Sequence, residues 1–148
     1  MVEATETGME DRATEMVRRT MKIVFGLVPI VAGLDKFTNL LVHWDKYLAP
    51  SIAHMLPMKP SAFMGVVGVI EIVAGIGVLF TPWTRVFAWI VGLWLIAIAL
   101  QLVVAGFYDI AVRDIVMAIS AFCLARLSAV APARAATRTS GMRQAEVG

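Results

Sequence analysis

Cysteine is almost absent from these 148 residues: Cys123 stands alone inside an apolar run. An intramolecular disulfide is thereby excluded, and with it any CxxC thiol relay or thiolate metal cluster. Histidine is equally scarce. His43 and His54 are eleven positions apart with Pro50 between them, whereas axial haem ligands would stand opposite one another on two spans. Charged residues make up only 16% of the chain, against roughly 25% in soluble globular proteins. Thirteen Lys plus Arg over eleven Asp plus Glu leave a net +2, and much of that excess lies between Arg134 and Arg143. Such a balance, without a basic stripe and base-reading aromatics, argues against nucleic acid as a partner. No hydrolase triad, metal-ligand set or Gly-rich phosphate loop is visible.

What the chain has instead is apolar length. Hydrophobic residues reach 59% and the mean hydropathy is +0.80, which reads as a membrane protein. Residues 1–19 are polar and mixed in sign. The apolar stretch Met21 to Leu34 is too short to cross a bilayer, which takes about 20 residues. Its extension through Phe37-Thr38-Asn39-Leu40-Leu41-Val42 predicts a first span over about 20–42. The rival reading, a signal peptide cleaved after Val31-Ala32-Gly33, conflicts with Pro29 inside the apolar core and with the long charged leader.

Residues His43 to Pro60 hold three prolines and the tract Trp44-Asp45-Lys46-Tyr47. Apolar residues recur there at helical spacing, which predicts a short interfacial helix anchored by Trp44 and Tyr47. Three further spans are predicted over about 62–80, 85–107 and 108–130, and the Ala/Arg/Thr/Ser/Gly composition of 131–148 reads as a disordered tail. Nine basic residues fall on the side of both termini: Arg12, Arg18, Arg19, Lys22, Arg85, Arg126, Arg134, Arg138 and Arg143. Four, Lys36, Lys46, Lys59 and Arg113, fall on the other. The expected fold is thus an all-α, integral membrane four-helix transmembrane bundle with both termini cytoplasmic.

Ionisable groups inside spans are costly and face the bundle interior or a wet cavity. Glu71 sits near the middle of the second span and shares a face with Gly68 and Gly75, the small residues that mark close helix approach in lipid. Gly26, Gly33 and Gly65 read as packing positions too. Topology gathers Asp35, Lys36, Gln101, Asp109, Arg113 and Asp114 at one depth in the outer half. Asp109 and Arg113 are spaced i,i+4 as a helical pair, while Lys36 and Arg113 are expected to pair with Asp35, Asp114 or Glu71 across helices. The loop bearing His43, Trp44, Asp45 and Tyr47 would cover this cluster. Two readings follow. The charges either only fix helix register, or they form a site in which Lys36 and Arg113 hold an anion or a quinone oxygen while Glu71 or Asp114 handles a proton. A proton-coupled permease working through Glu71 is a further alternative.

Three segments carry a family likeness: Ala32-Gly33-Leu34-Asp35-Lys36-Phe37, Gly68-Val69-Ile70-Glu71-Ile72-Val73-Ala74-Gly75, and Asp109-Ile110-Ala111-Val112-Arg113-Asp114-Ile115. In that order, over roughly Thr20 to Leu127, the chain resembles the DoxX-like family of four-helix bacterial membrane proteins. The family is named for a membrane subunit of a thiosulfate:quinone oxidoreductase, and relatives are associated with redox and oxidative-stress membrane complexes. The resemblance implies a multi-pass protein of the bacterial plasma (inner) membrane. It also implies a quinone or other small redox-linked ligand as the candidate cofactor, with no cofactor held by the chain alone. The expected partners are lipid and either a membrane or extracytoplasmic protein or further copies of the chain. On this reading the chain is not an enzyme by itself; the alternative is a non-catalytic assembly or anchor subunit. The wider group is similar in architecture to four-helix thiol oxidoreductases of the vitamin K epoxide reductase type, whose paired cysteines this chain lacks.

Overall fold

Four long helices and a helical connection make up the chain. A computed structural model describes the backbone of residues 2–147 and the side chains of residues 8–130. The elements are α1 (Val2–Thr38), a 3-10 turn (Trp44–Tyr47), α2 (Pro50–Met55), α3 (Pro60–Phe80), α4 (Thr84–Val104) and α5 (Tyr108–Val147), with no strand among the described residues. The all-helical class follows from the sequence: long apolar runs separated by Pro- and Gly-containing connections satisfy their backbone groups internally, as lipid requires.

The helices pack as two antiparallel hairpins, α1 on α3 and α4 on α5, which meet along α3–α4 and α1–α5. Glycine sets the first hairpin. A Cβ on Gly33 would lie 2.5 Å from the Gly68 carbonyl oxygen, and one on Gly68 would lie 2.7 Å from that of Gly33. One helical repeat away, a Cβ on Gly75 would run into the carbonyl oxygen of Gly26. Both helices carry these glycines seven positions apart, so backbones touch along a stripe, the close approach that drives helix association where lipid is as apolar as leucine. Alanine does the same for the second hairpin: Ala88, Ala99, Ala111, Ala118, Ala121 and Ala125 are all buried, and Phe122 fills the notch at Gly92.

Tight turns close the bundle. Between α3 and α4 the Thr81 hydroxyl donates to the Gly77 carbonyl at 2.6 Å and the Thr84 hydroxyl to the Val78 carbonyl at 3.2 Å, which satisfies carbonyls left open at a helix end. Between α4 and α5, Gly106 takes a φ of 85°. There Phe107 N–H donates to the Leu102 carbonyl and Gly106 N–H to that of Val103, the two bonds of a Schellman cap.

Several boundaries differ from expectation for identifiable reasons. The first helix ends at Thr38, not near Val42, because Asn39 adopts a left-handed φ of 50° and Asp35 captures the amides that follow. The helical connection is split in two, the 3-10 turn and α2, rather than forming a single interfacial helix. The backbone of α5 runs on through 131–147, the segment whose composition reads as disordered; its alanines are the strongest helix formers. The side chains of 131–148 lie outside the described residues.

Large aliphatic side chains point outward on every long helix: Leu27, Val31 and Leu34 on α1, Val66, Val69 and Val73 on α3, Ile90, Leu93 and Leu100 on α4, Val112, Val116 and Ile119 on α5. Soluble monomers do not expose apolar surface on this scale. By length and composition α3 and α4 qualify as membrane-crossing helices. The interruptions in α1 and α5 are the charged residues Lys22, Asp35 and Lys36, and Asp109, Arg113, Asp114 and Arg126.

Candidate functional site

At the heart of the charged region, Lys36 Nζ lies 2.6 Å from Glu71 Oε2, with side-chain exposures of 4% and 9%. The geometry follows from helix direction. Side chains lean toward the N-terminus of their own helix, so on antiparallel α1 and α3 Lys36 and Glu71 lean toward each other across the Gly33–Gly68 contact. The Lys36 ammonium is then roofed by Trp44, whose ring centroid is 3.7 Å from Nζ, a cation–π contact strengthened by desolvation.

A third element completes the cluster. Asp114 of α5 is buried, makes no hydrogen bond or ion pair among the described residues, and is near enough for its charge to act on Glu71 and to be acted on by Lys36. Trp94 of α4 aims its buried indole N–H at Glu71 without closing a well-formed hydrogen bond. Two carboxylates and one ammonium thus share a buried cluster, with the Arg113 charge also acting on Asp114.

Asp35 is buried as well, but its work is different. Its Oδ1 accepts from the amides of Leu40 at 2.9 Å and Leu41 at 3.0 Å and from the Thr38 hydroxyl at 3.2 Å, while Oδ2 accepts from Trp44 Nε1 at 2.8 Å and Val42 N at 3.3 Å. Five donors offset the unfavourable placing of a carboxylate at a helix C-terminus. They also fix the indole that covers Lys36. Gln101 acts as a clamp: Nε2 donates to the Tyr47 carbonyl at 3.0 Å and Oε1 accepts from Ala49 N at 3.1 Å, which ties the connection to α4. Tyr47 packs edge-on against Phe107, with ring centroids 5.0 Å apart.

The remaining expected residues lie elsewhere. His43 and Asp45 are exposed; of the expected cover, Trp44 lies over Lys36 and Tyr47 packs beside it against Phe107. Asp109 and Arg113 are exposed on the outer side of α5 and, among the described residues, form no ion pair with each other or across helices. The reason is angular: neighbours on a helix are 100° apart, and the buried face of α5 runs through Ala111, Asp114, Ala118, Ala121 and Ala125. That stripe could have assigned Asp114 inward and Arg113 outward in advance. Nothing in the apolar sequence of α4 distinguishes Trp94 from a packing residue. Among the described residues no group of His, Cys, Asp and Glu is disposed to hold a metal ion.

Neither the curated proteins nor the solved structures supply a match to the chain. A family model does: DoxX matches residues 20–107, which takes in α3, α4, the connection and the apolar part of α1, with Lys36, Glu71, Trp94 and Gln101 inside it. The match stops at the Schellman turn, so Asp114 and the segment around it fall beyond the matched residues. Covering more than half of the sequence, and with the glycine-packed α1–α3 hairpin and its internal charge pair in place, it establishes that the chain belongs to the DoxX family.

Proposed function

We propose that the chain is a four-span subunit of a bacterial plasma membrane redox assembly. In this reading both termini are cytoplasmic, and the Lys36–Glu71–Asp114 cluster binds a small neutral acceptor of quinone type. The outward aliphatic surfaces of α1 and α5 match those of α3 and α4, which supports four spans, and the distribution of basic residues supports the orientation.

The observation that carries the ligand reading is the buried Lys36–Glu71 pair with the Trp94 indole N–H aimed at it and Asp114 beside it. An anion would be repelled by Glu71 and Asp114, and the Arg113 charge, on the outer side of α5, already acts on Asp114. A neutral carbonyl suits the site: Trp94 Nε1 can donate to it, and the Lys36 ammonium has donors beyond the one given to Glu71. When bound, a quinone supplies reversible two-electron chemistry. The chain's own residues would bind its oxygen, exclude water under Trp44 and hold a proton on Glu71 or Asp114. The electrons are assigned to a partner protein.

A second reading is supported by the closure of the site. Lys36 is already enclosed by Glu71 and Trp44, and Gln101 ties the cover down, an arrangement complete as a lock for an anchor subunit. Affinity purification from gently solubilised membranes, with mass spectrometry for quinones and proteins, separates the two. Bound quinone that disappears in Trp94→Phe, with folding and assembly unchanged, is the expected result. A defined protein complex free of any quinone in the wild type would overturn the ligand reading in favour of the anchor.

A further inference from the structure

The end of α1 presents an apolar turn whose polar atoms are unusually well provided for. Leu40 is 84% exposed and Leu41 69%, and no ionisable side chain occurs from Phe37 to Val42. In water such a tip gains nothing from its leucines. In lipid it would fail for a different reason, because irregular backbone leaves N–H groups that hydrocarbon cannot satisfy. Here that objection is removed. Asn39 N–H donates to the Asp35 carbonyl at 2.6 Å, and the Leu40, Leu41 and Val42 amides all donate to the Asp35 carboxylate. One buried side chain has taken up the consecutive amides of the turn.

The turn is also continuous with a surface of known character. Leu27, Val31, Leu34 and Phe37 form an outward stripe along α1, at the i, i+4, i+7 spacing of one helix face, and Leu40 and Leu41 prolong it past the helix end. We propose that the segment from Asn39 to Val42 is a membrane-inserted wedge, with Leu40 and Leu41 among lipid acyl chains just below the outer interface and Asp35 as the group that makes the insertion tolerable. The occupant of this patch is lipid, because it extends an aliphatic belt that runs around the whole bundle.

The test places an environment-sensitive fluorophore at Leu40→Cys in a Cys123→Ser background, reconstituted into phosphatidylcholine/phosphatidylglycerol vesicles. Lys46→Cys serves as the aqueous control and Val73→Cys as the mid-span control. The expected result at position 40 is blue-shifted emission that acyl-chain spin-labelled lipids quench and aqueous iodide does not, as at Val73 and unlike Lys46. Quenching by iodide, or shielding from both quenchers as a protein contact would give, overturns the proposal. Adding Asp35→Ala should shift the Leu40 probe to the red and open it to iodide. A probe that stays in lipid in that variant overturns the role of Asp35. The measurement with Asp35 intact decides the insertion on its own, whatever the folding of the second variant.

Discussion

Replacing Lys36 by methionine removes the cation that touches Glu71 while keeping the length and apolar stem of the side chain. At 2.6 Å, and with an effective dielectric near 20, the gross attraction is about 6 kcal/mol. Removing one partner of a buried pair in other proteins costs about 3–5 kcal/mol, because the remaining charge stays buried and unpaired. Lys36→Met should fall in that range, toward its upper end, since Asp114 loses the same cation. Glu71→Gln should cost less, about 1–3 kcal/mol, for the amide oxygen still accepts from Lys36, which also keeps the face of Trp44. The two changes together should cost less than Lys36→Met alone by about 2 kcal/mol, since no unpaired charge is then left on α3. Adding Asp114→Asn should recover part of the remainder. Reversible unfolding in mixed micelles of dodecyl sulfate and a mild detergent, followed by helicity, supplies the double-mutant cycle. Costs of the two single changes that add to within about 0.5 kcal/mol in the double variant would show the residues to be independent and refute the argument.

Other outcomes are equally specific. Gly68→Ala should destabilise by about 1–3 kcal/mol, because its Cβ meets the Gly33 carbonyl at 2.7 Å. Gly65→Ala, with only the Phe37 ring at 3.5 Å, should be neutral or slightly stabilising, and thermal melts in detergent distinguish the two. Gln101→Leu removes two hydrogen bonds to the connection, each worth about 1 kcal/mol; amide exchange at Ala49 should accelerate while the bundle melts almost unchanged. At the polar end of α1, hydrogen bonds from Arg18 and then Arg19 hold the Glu15 carboxyl at about 2, below its ordinary 4.5. Its contribution is therefore present above about pH 4.5 and lost as the pH falls toward 2. Because this pair lies in water, Glu15→Gln should change stability at neutral pH by no more than about 0.5 kcal/mol, and a carboxyl titration followed by NMR checks the midpoint.

The parts of this fold that were legible in the sequence are those written as periodic placement. Gly68, Glu71 and Gly75 share one face, and that face is the α1 contact; Lys36 meets Glu71, one of the pairings expected from topology. The helical rotation of α5 was not legible from its charges, because the i,i+4 spacing of Asp109 and Arg113 does not say which way their face points. Alanine spacing, a subtler signal, decides it. The role of Asp35 could not be read in advance, since a carboxylate that binds five local donors looks the same in sequence as one awaiting a ligand. Nor does the sequence reveal that the Trp94 N–H is aimed at Glu71, which depends on side-chain geometry.

The Lys36–Glu71 pair also bears on how such a chain enters a membrane during synthesis. On the four-span reading, the first segment to reach the insertion machinery carries both Asp35 and Lys36, residues that each disfavour partition by about 2.5–3.5 kcal/mol at a helix centre and by less toward the ends. Its counter-charge arrives only when the second apolar segment, with Glu71, has been made. The glycine stripe shared by the two segments lets them associate as soon as both are present, so the natural unit of insertion is the α1–α3 hairpin and not the single helix. A ribosome stalled before Gly68 emerges would hold a first segment still exchanging between translocon and lipid; one stalled after Phe80 has cleared the tunnel would hold a segment that has settled.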